Sequence, residues 1–84
     1  MHELGLAESI LDLVREHVPP DRAIAVRRVT VRIGDLAGVI PDSLEFCFGA
    51  ITAGTPYAGA SLDIDRVEGR ELRVVELELD EPVL

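Results

Sequence analysis

Apolar residues recur at every third or fourth position along the first part of the chain. These positions are Leu6, Ile10, Val14 and Val18, with Ala7 and Leu11 beside them. The spacing matches the period of an amphipathic α-helix and predicts one from about Leu4 to Val18. Pro19 and Pro20 should end this helix, because proline lacks the N–H that the next helical hydrogen bond requires.

A strand and a second helix are predicted next along the chain. The apolar residues Val29, Val31 and Ile33 alternate with Arg28, Thr30 and Arg32. Such alternation indicates a strand with one buried face, which we expect to end at Gly34. Pro41 is suited to the first position of a helix, where its missing N–H costs nothing, and Gly54 is suited to ending that helix. The expected buried stripe is Leu44, Cys47, Phe48 and Ile51.

Two further strands are predicted in the last third of the chain. Leu62 and Ile64 alternate with Asp63 and Asp65, which indicates a second strand. Glu68-Gly69 is predicted to turn the chain back as a hairpin into a third strand, Arg70 to about Leu79, because glycine accepts the positive φ of tight turns. The apolar phase changes at Val74-Val75, which indicates either burial on both faces or a β-bulge.

These elements predict an α+β fold of two layers, in the order α-β-α-β-β, with both helices on one face of a three-stranded sheet. We place the third strand in the middle because it is the most apolar. The first and second strands then flank it, parallel to each other, because the helix between them makes a right-handed crossover. The open face is expected to carry Arg28 and Arg32 paired with Glu76 and Glu78, together with Leu72 and Val74.

Length and charge restrict the function. The 84 residues allow one small domain, residues 1–84, and we expect a monomer or a weak homodimer. Sixteen acidic against eight basic side chains give a net charge of −8, which argues against nucleic acid and anionic membrane as partners. The sequence shows no apolar run of membrane-spanning length and no signal peptide, so we expect a cytosolic protein.

No enzymatic constellation is visible in the sequence. There is no phosphate-binding glycine loop with a lysine, and no serine nucleophile stands beside either histidine. Asp63 and Asp65 should lie on a wet strand face, where solvation explains them better than general acid–base chemistry. The single cysteine, Cys47, reads as a small core residue and cannot form a Cys-x-x-Cys zinc site. We therefore expect a protein without catalytic activity.

The most specific chemical feature is Met1-His2-Glu3. The α-amine of Met1 and the backbone and ring nitrogens of His2 close two fused chelate rings around a metal ion. Glu3 supplies a further amide or carboxylate. Nitrogen donors in a plane suit Ni(II) or Cu(II), whereas Zn(II) prefers a tetrahedron. The alternative is an ordinary solvated histidine at a frayed terminus. His17, near the carboxyl end of the first helix, is predicted to have a structural capping role.

Three stretches resemble the HypA/HybF family of nickel metallochaperones. They are Met1-His2-Glu3-Leu4 running into Gly5-Leu6-Ala7-Glu8-Ser9-Ile10, the segment from Arg28 to Pro41, and Gly54-Thr55 followed by Gly59-Ala60 and Leu62-Asp63-Ile64. The resemblance implies that Met1, His2 and Glu3 bind Ni(II) for the maturation of [NiFe]-hydrogenase and, in some organisms, urease. It also implies two partners, a HypB-type GTPase and the hydrogenase large-subunit precursor.

The chain departs from the family pattern at one place. The family's zinc ribbon, with two Cys-x-x-Cys pairs, normally precedes a closing Gly-Arg-Glu-Leu strand. Here the strand that contains Leu62 is followed directly by Gly69-Arg70-Glu71-Leu72. The junction, where the ribbon would otherwise be inserted, therefore lies near residues 66–70. We therefore expect no bound zinc. The alternative function is an interaction module that has kept the fold but no longer carries nickel, although the intact Met-His-Glu start favours the carrier.

Overall fold

The computed structural model describes residues 2–80, apart from the side chain of His2. Its elements are helix α1 (His2–His17), a 3-10 helix (Pro20–Ala25), strand β1 (Val26–Gly34), helix α2 (Pro41–Thr52), strand β2 (Ser61–Val67) and strand β3 (Leu72–Leu79). The predicted α+β class and the order of helices and strands are confirmed. Within this part of the chain, no helix is long and apolar enough to cross a membrane.

The three strands form one mixed sheet in the order β2-β1-β3. Strand β1 pairs parallel with β2, from Arg28 opposite Ser61 to Gly34 opposite Val67. It pairs antiparallel with β3 on its other edge. The parallel arrangement of β1 and β2 is thus confirmed, but the placement of β3 in the middle and the β2–β3 hairpin are wrong. The central strand is β1, because both of its edges carry hydrogen-bonded neighbours.

The connection from β2 to β3 crosses over the end of β1 at Gly34. The N–H of Gly34 donates to the carbonyl of Glu71, and the N–H of Leu36 donates to the carbonyl of Gly69, both at 2.7 Å. The N–H of Gly69 in turn donates to the Asp35 carboxylate at 3.0 Å. A Cβ on Gly34 would lie 2.1 Å from the carbonyl oxygen of Gly69. Gly34 is therefore required by the close passage of the two backbones.

One buried cluster joins both helices to the sheet. Its members are Ala7, Ile10, Leu11, Val14, Val18, Ala23, Val26, Val29, Val31, Ile33, Leu44, Phe48, Tyr57 and Leu62. The Tyr57 hydroxyl donates to the carbonyl of Val18 at 2.9 Å and so ties the loop before β2 to the end of α1. The layer arrangement follows from this cluster, because the apolar faces of both helices meet the same face of the sheet.

Helix α2 follows the sequence prediction closely. It begins at Pro41, and Gly54 behind its carboxyl end has φ of +77°. Leu44 and Phe48 are fully buried. Cys47 is partly buried and packs against the core, together with Ile51, in agreement with its prediction as a small core residue.

Strand β3 contains a β-bulge at Val75. The register with β1 passes from Thr30 opposite Glu76 to Val31 opposite Val74, which leaves Val75 as the extra residue. Residues directly opposite each other in an antiparallel pair share one face of the sheet. Val74 opposite the buried Val31 therefore lies on the helix-covered face, as does Leu72, and their predicted placement on the open face is wrong.

The open face of the sheet carries ion pairs centred on β1. Arg28 contacts Asp63 at 3.5 Å and Glu78 at 3.4 Å. Arg32 contacts Asp65 at 2.9 Å and Glu71 at 3.8 Å. The expected pair of Arg28 with Glu78 is confirmed. The expected partners of Arg32 are wrong, because Glu76 lies opposite Thr30 in the register.

Candidate metal site

Helix α1 begins at His2, so His2 and Glu3 stand in its first turn. Met1 and the side chain of His2 lie outside the described residues. The α-helical ladder does not use the first N–H groups of a helix, because their partners would lie before its start. The main-chain nitrogens of this first turn are therefore not committed to the helix's own hydrogen bonds.

The carboxylate of Glu3 is held by the fold. Glu3 as a whole is only 6% exposed. Its Oε2 accepts a hydrogen bond from the N–H of Ile40 at 3.1 Å. Ile40 directly precedes Pro41, the first residue of α2, so the carboxylate also lies near the positive end of that helix dipole. The contact fixes the start of α1 against the start of α2.

This contact changes how Glu3 is interpreted. From the sequence, either its amide or its carboxylate could be a metal ligand. The carboxylate already serves a helix junction, and a metal there would have to compete with the Ile40 N–H. The sequence did contain a signal for this role, since Glu3 falls four residues before the buried Ala7, on the buried side of α1.

His17 stands at the opposite end of α1. Fifteen residues of helix place it about 22 Å from His2 at 1.5 Å per residue. Its Nδ1 donates to the carbonyl of Leu13 at 2.9 Å, since a carbonyl can only accept. The Leu13 carbonyl lies four residues before His17 in the helical ladder, so the ring adds a second donor to a carbonyl of the last turn. The predicted structural role of His17 is confirmed, and the structure does not bring it near Met1-His2-Glu3.

No cluster of metal-binding side chains is present in the part of the chain that the structure covers. Residues 2–80 contain no group of three or more histidine, cysteine or acidic side chains arranged to hold an ion. The one cysteine lies on α2 against the core. These residues do not fit a zinc ribbon, which needs four thiolate ligands.

The fold and the terminus together define a class: a small α+β domain whose candidate metal donors are the first atoms of its chain. The family described as hydrogenase/urease nickel incorporation, metallochaperone, hypA, matches residues 1–72. The chain belongs to this HypA family.

Named relatives share the family. The hydrogenase maturation factor HypA of Geobacter metallireducens is 44% identical over 70 residues, which are 83% of this chain and 61% of that protein. HypA of Streptomyces avermitilis is 44% identical over 71 residues, 83% of this chain and 54% of that protein. This chain therefore spans between about half and three fifths of the length of these relatives.

A solved structure has the same fold. The solution structure of the Ni metallochaperone HypA from Helicobacter pylori superposes with a TM-score of 0.78 at 20% sequence identity. The superposition covers 94% of this chain and 97% of that chain. At this identity the likeness concerns the fold alone.

Proposed function

We propose that the chain is a nickel carrier that binds Ni(II) at its amino terminus and delivers it during the maturation of [NiFe]-hydrogenase, or of urease where a cell makes one. The family match, which starts at Met1 and includes Met1-His2-Glu3, carries this proposal. In this proposal, residues 1–84 act as one nickel-binding domain that lacks the zinc ribbon, with the junction near residues 66–70. The role is that of a carrier and requires no catalytic residue.

The proposed ligands are the α-amine of Met1, the backbone and ring nitrogens of His2, and the main-chain nitrogen of Glu3. Four nitrogens in one plane match the square-planar preference of Ni(II). We assign the nitrogen of Glu3 rather than its carboxylate because Oε2 accepts from Ile40. The carboxylate instead acts as a positioning group that holds the chelating turn against α2.

The proposed partners are a HypB-type GTPase and the precursor of the hydrogenase large subunit, and the proposed location is the cytosol. Ion transfer requires a partner to approach the terminus closely. Leu4 and Ile40 are 42% and 63% exposed beside the contact between Glu3 and Ile40. They offer apolar contact area at the end of the molecule where the ion is proposed to bind.

Nickel titration by calorimetry tests the ligand assignment. His2→Ala should abolish measurable binding, because it removes the ring nitrogen that closes the second chelate ring. His17→Ala is the matched control and should bind nickel like the native chain. Glu3→Gln keeps an oxygen that can accept from Ile40 but removes the carboxylate charge. Its affinity should stay within about threefold of native, or about 0.7 kcal/mol.

Proton coupling provides a second readout in the same titrations. An unperturbed α-amine titrates near pH 8 and an unperturbed imidazole near pH 6.5, and each must lose its proton to bind metal. Affinity should therefore fall steadily as the pH is lowered through this range. Binding that survives His2→Ala, or that is independent of pH, would contradict the proposed chelate. If Glu3→Gln lowers nickel affinity by more than about tenfold, the fourth ligand is the carboxylate rather than the main-chain nitrogen.

A further inference from the structure

Helix α2 is apolar on its exposed side as well as on its buried side. Phe48 is buried in the core, whereas Phe46, on the opposite side of the helix, is 77% exposed. The other exposed positions after Glu45 are Gly49 and Ala50, so the last two turns expose no polar side chain. A surface helix usually carries polar residues on its exposed side, and a helix that is apolar all round is usually covered. The exposed side of α2 therefore has the composition of a contact surface.

The carboxylates next to Phe46 have no cation partner. Asp42 lies about one helical turn before Phe46, and Glu45 directly precedes it in the sequence. Helix α2 contains no basic residue. Within the part of the chain that the structure describes, neither carboxylate forms an ion pair with a residue of another element. The exposed aromatic ring therefore stands beside uncompensated negative charge.

The neighbouring side of α1 adds to this charge. Glu8, Asp12 and Arg15 line the groove between α1 and α2. Arg15 is already paired with Asp12 at 3.3 Å, and Glu8 forms no ion pair among residues 2–80. On the open face of the sheet, by contrast, the arginines of β1 contact the acidic side chains of both neighbouring strands. The uncompensated charge on the helix side therefore favours a basic partner.

We propose that the exposed side of α2 binds a basic amphipathic helix of the protein that receives the nickel. The apolar residues of that helix pack against Phe46 and Ala50, and its lysine or arginine side chains face Asp42 and Glu45. Aromatic side chains are enriched at protein interfaces, and a cation over the Phe46 ring adds a further attraction. Gly49 leaves room for close approach, because nothing lies within 4 Å of the position that a Cβ would take.

This surface extends to the proposed nickel site. Pro41, the first residue of α2, directly follows Ile40, whose N–H donates to the Glu3 carboxylate. Five residues of helix place Phe46 about 8 Å along the axis from Pro41. Ile40 is itself exposed and continues the apolar surface toward the amino terminus. A helix bound along α2 is thus close to the ion, and the choice of the receiving protein as partner rests on the proposed function.

Site-specific cross-linking tests the chemistry of the partner. Phe46 is replaced with the photoreactive p-benzoylphenylalanine, and the full chain is irradiated with the purified precursor of the hydrogenase large subunit. Mass spectrometry should place the cross-link in a helix of the precursor that carries several lysine or arginine residues beside apolar ones. The same replacement at Ile24, which is 80% exposed on the 3-10 helix, is the control and should not label that helix. A cross-link from position 46 to an acidic or uncharged segment, or none at all, would overturn the proposal.

Binding affinities test the aromatic anchor and the charge separately. Phe46→Ser and the charge reversal Glu45→Lys should each weaken binding of the metal-free chain to the precursor by about tenfold or more. Ile24→Ser and Glu76→Lys are the matched controls, because they make the same kinds of change at exposed positions outside α2. They should stay within about threefold of the native affinity. Controls that weaken binding as much as the α2 variants would contradict a contact at α2.

Nickel titration separates this inference from the proposed function. The Phe46→Ser chain should bind nickel like the native chain, because the start of α1 is unchanged. A native chain that binds nickel but not the precursor would overturn the docking surface and leave the nickel ligands standing. A chain that binds the precursor through α2 but binds no nickel would support the docking surface and contradict the carrier function.

Discussion

Replacing Gly34 with alanine tests the crossing of the β2–β3 connection over the end of β1. The added Cβ would lie 2.1 Å from the carbonyl oxygen of Gly69, 2.4 Å from its carbonyl carbon and 2.8 Å from the nitrogen of Arg70. All three atoms are backbone, so no side-chain rotation relieves the overlap. The crossing segment must move by more than an ångström before ordinary contact is restored.

That movement breaks hydrogen bonds that hold the connection in place. Gly34 and Leu36 each donate to this segment at 2.7 Å. Losing such a bond costs about 0.5–1.5 kcal/mol, and overpacking costs about 1–3 kcal/mol. We therefore expect Gly34→Ala to lower the free energy of unfolding by about 2–4 kcal/mol, or Tm by roughly 10–30 °C in a domain of this size.

Thermal and urea unfolding followed by circular dichroism measure this change, with Gly49→Ala as the control. Gly49 lies in helix α2, and nothing is within 4 Å of the Cβ that alanine would add. Alanine favours helix over glycine by about 0.8–1.0 kcal/mol, so this variant should be slightly stabilised. A Gly34→Ala protein within about 0.5 kcal/mol of native would refute the crossing and support the hairpin between β2 and β3 instead.

Two further predictions concern the turn and the metal content. Gly69→Val should lower the free energy of unfolding by about 1–3 kcal/mol, because Gly69 has φ of +94° and valine is strained there. Glu68→Gln should change the free energy of unfolding little. Equal effects of the two substitutions in urea unfolding would argue against strain at Gly69. The protein as isolated should hold no stoichiometric zinc. A strong chelator should leave its circular dichroism unchanged, because its core is two helices on a sheet. One tightly held zinc per chain, found by metal analysis, would contradict this prediction.

Local features of the fold were predictable from the sequence. Hydrophobic periodicity located both helices and all three strands, and Pro41 marked the first residue of α2. The phase change at Val74-Val75 corresponds to the observed bulge. Gly69 was expected to adopt positive φ and does. These features depend on neighbouring residues only, which is why a single sequence reveals them.

The strand order was predicted wrongly because apolar content was used to choose the central strand. The bulge shows that the apolar residues of β3 are concentrated on one face rather than spread over two. Charge would have been a better guide. Two acidic strands, with Asp63 and Asp65 on β2 and Glu78 on β3, repel each other as neighbours. Strand β1 instead supplies Arg28 to both strands and Arg32 to β2.

The candidate site was predictable only as a list of donor atoms. The sequence suggests Met1, His2 and Glu3 as donors, but the long-range contact between Glu3 and Ile40 depends on how α1 and α2 meet. Nothing local to Glu3 indicates that its carboxylate reaches a backbone N–H 37 positions away. The proposal that the Glu3 amide is a ligand while its carboxylate positions the turn therefore depends on the fold.

The most direct test of nickel binding by the chain's first atoms is a titration of a chain with two residues added ahead of Met1. The addition turns the α-amine into an ordinary amide, and the fused chelate rings no longer close in the same way. We expect nickel affinity to fall nearly as far as in His2→Ala, while circular dichroism and Tm stay native because the core is unchanged. If the extended chain binds nickel as tightly as the native chain, the amine is not a ligand and the proposed site is wrong.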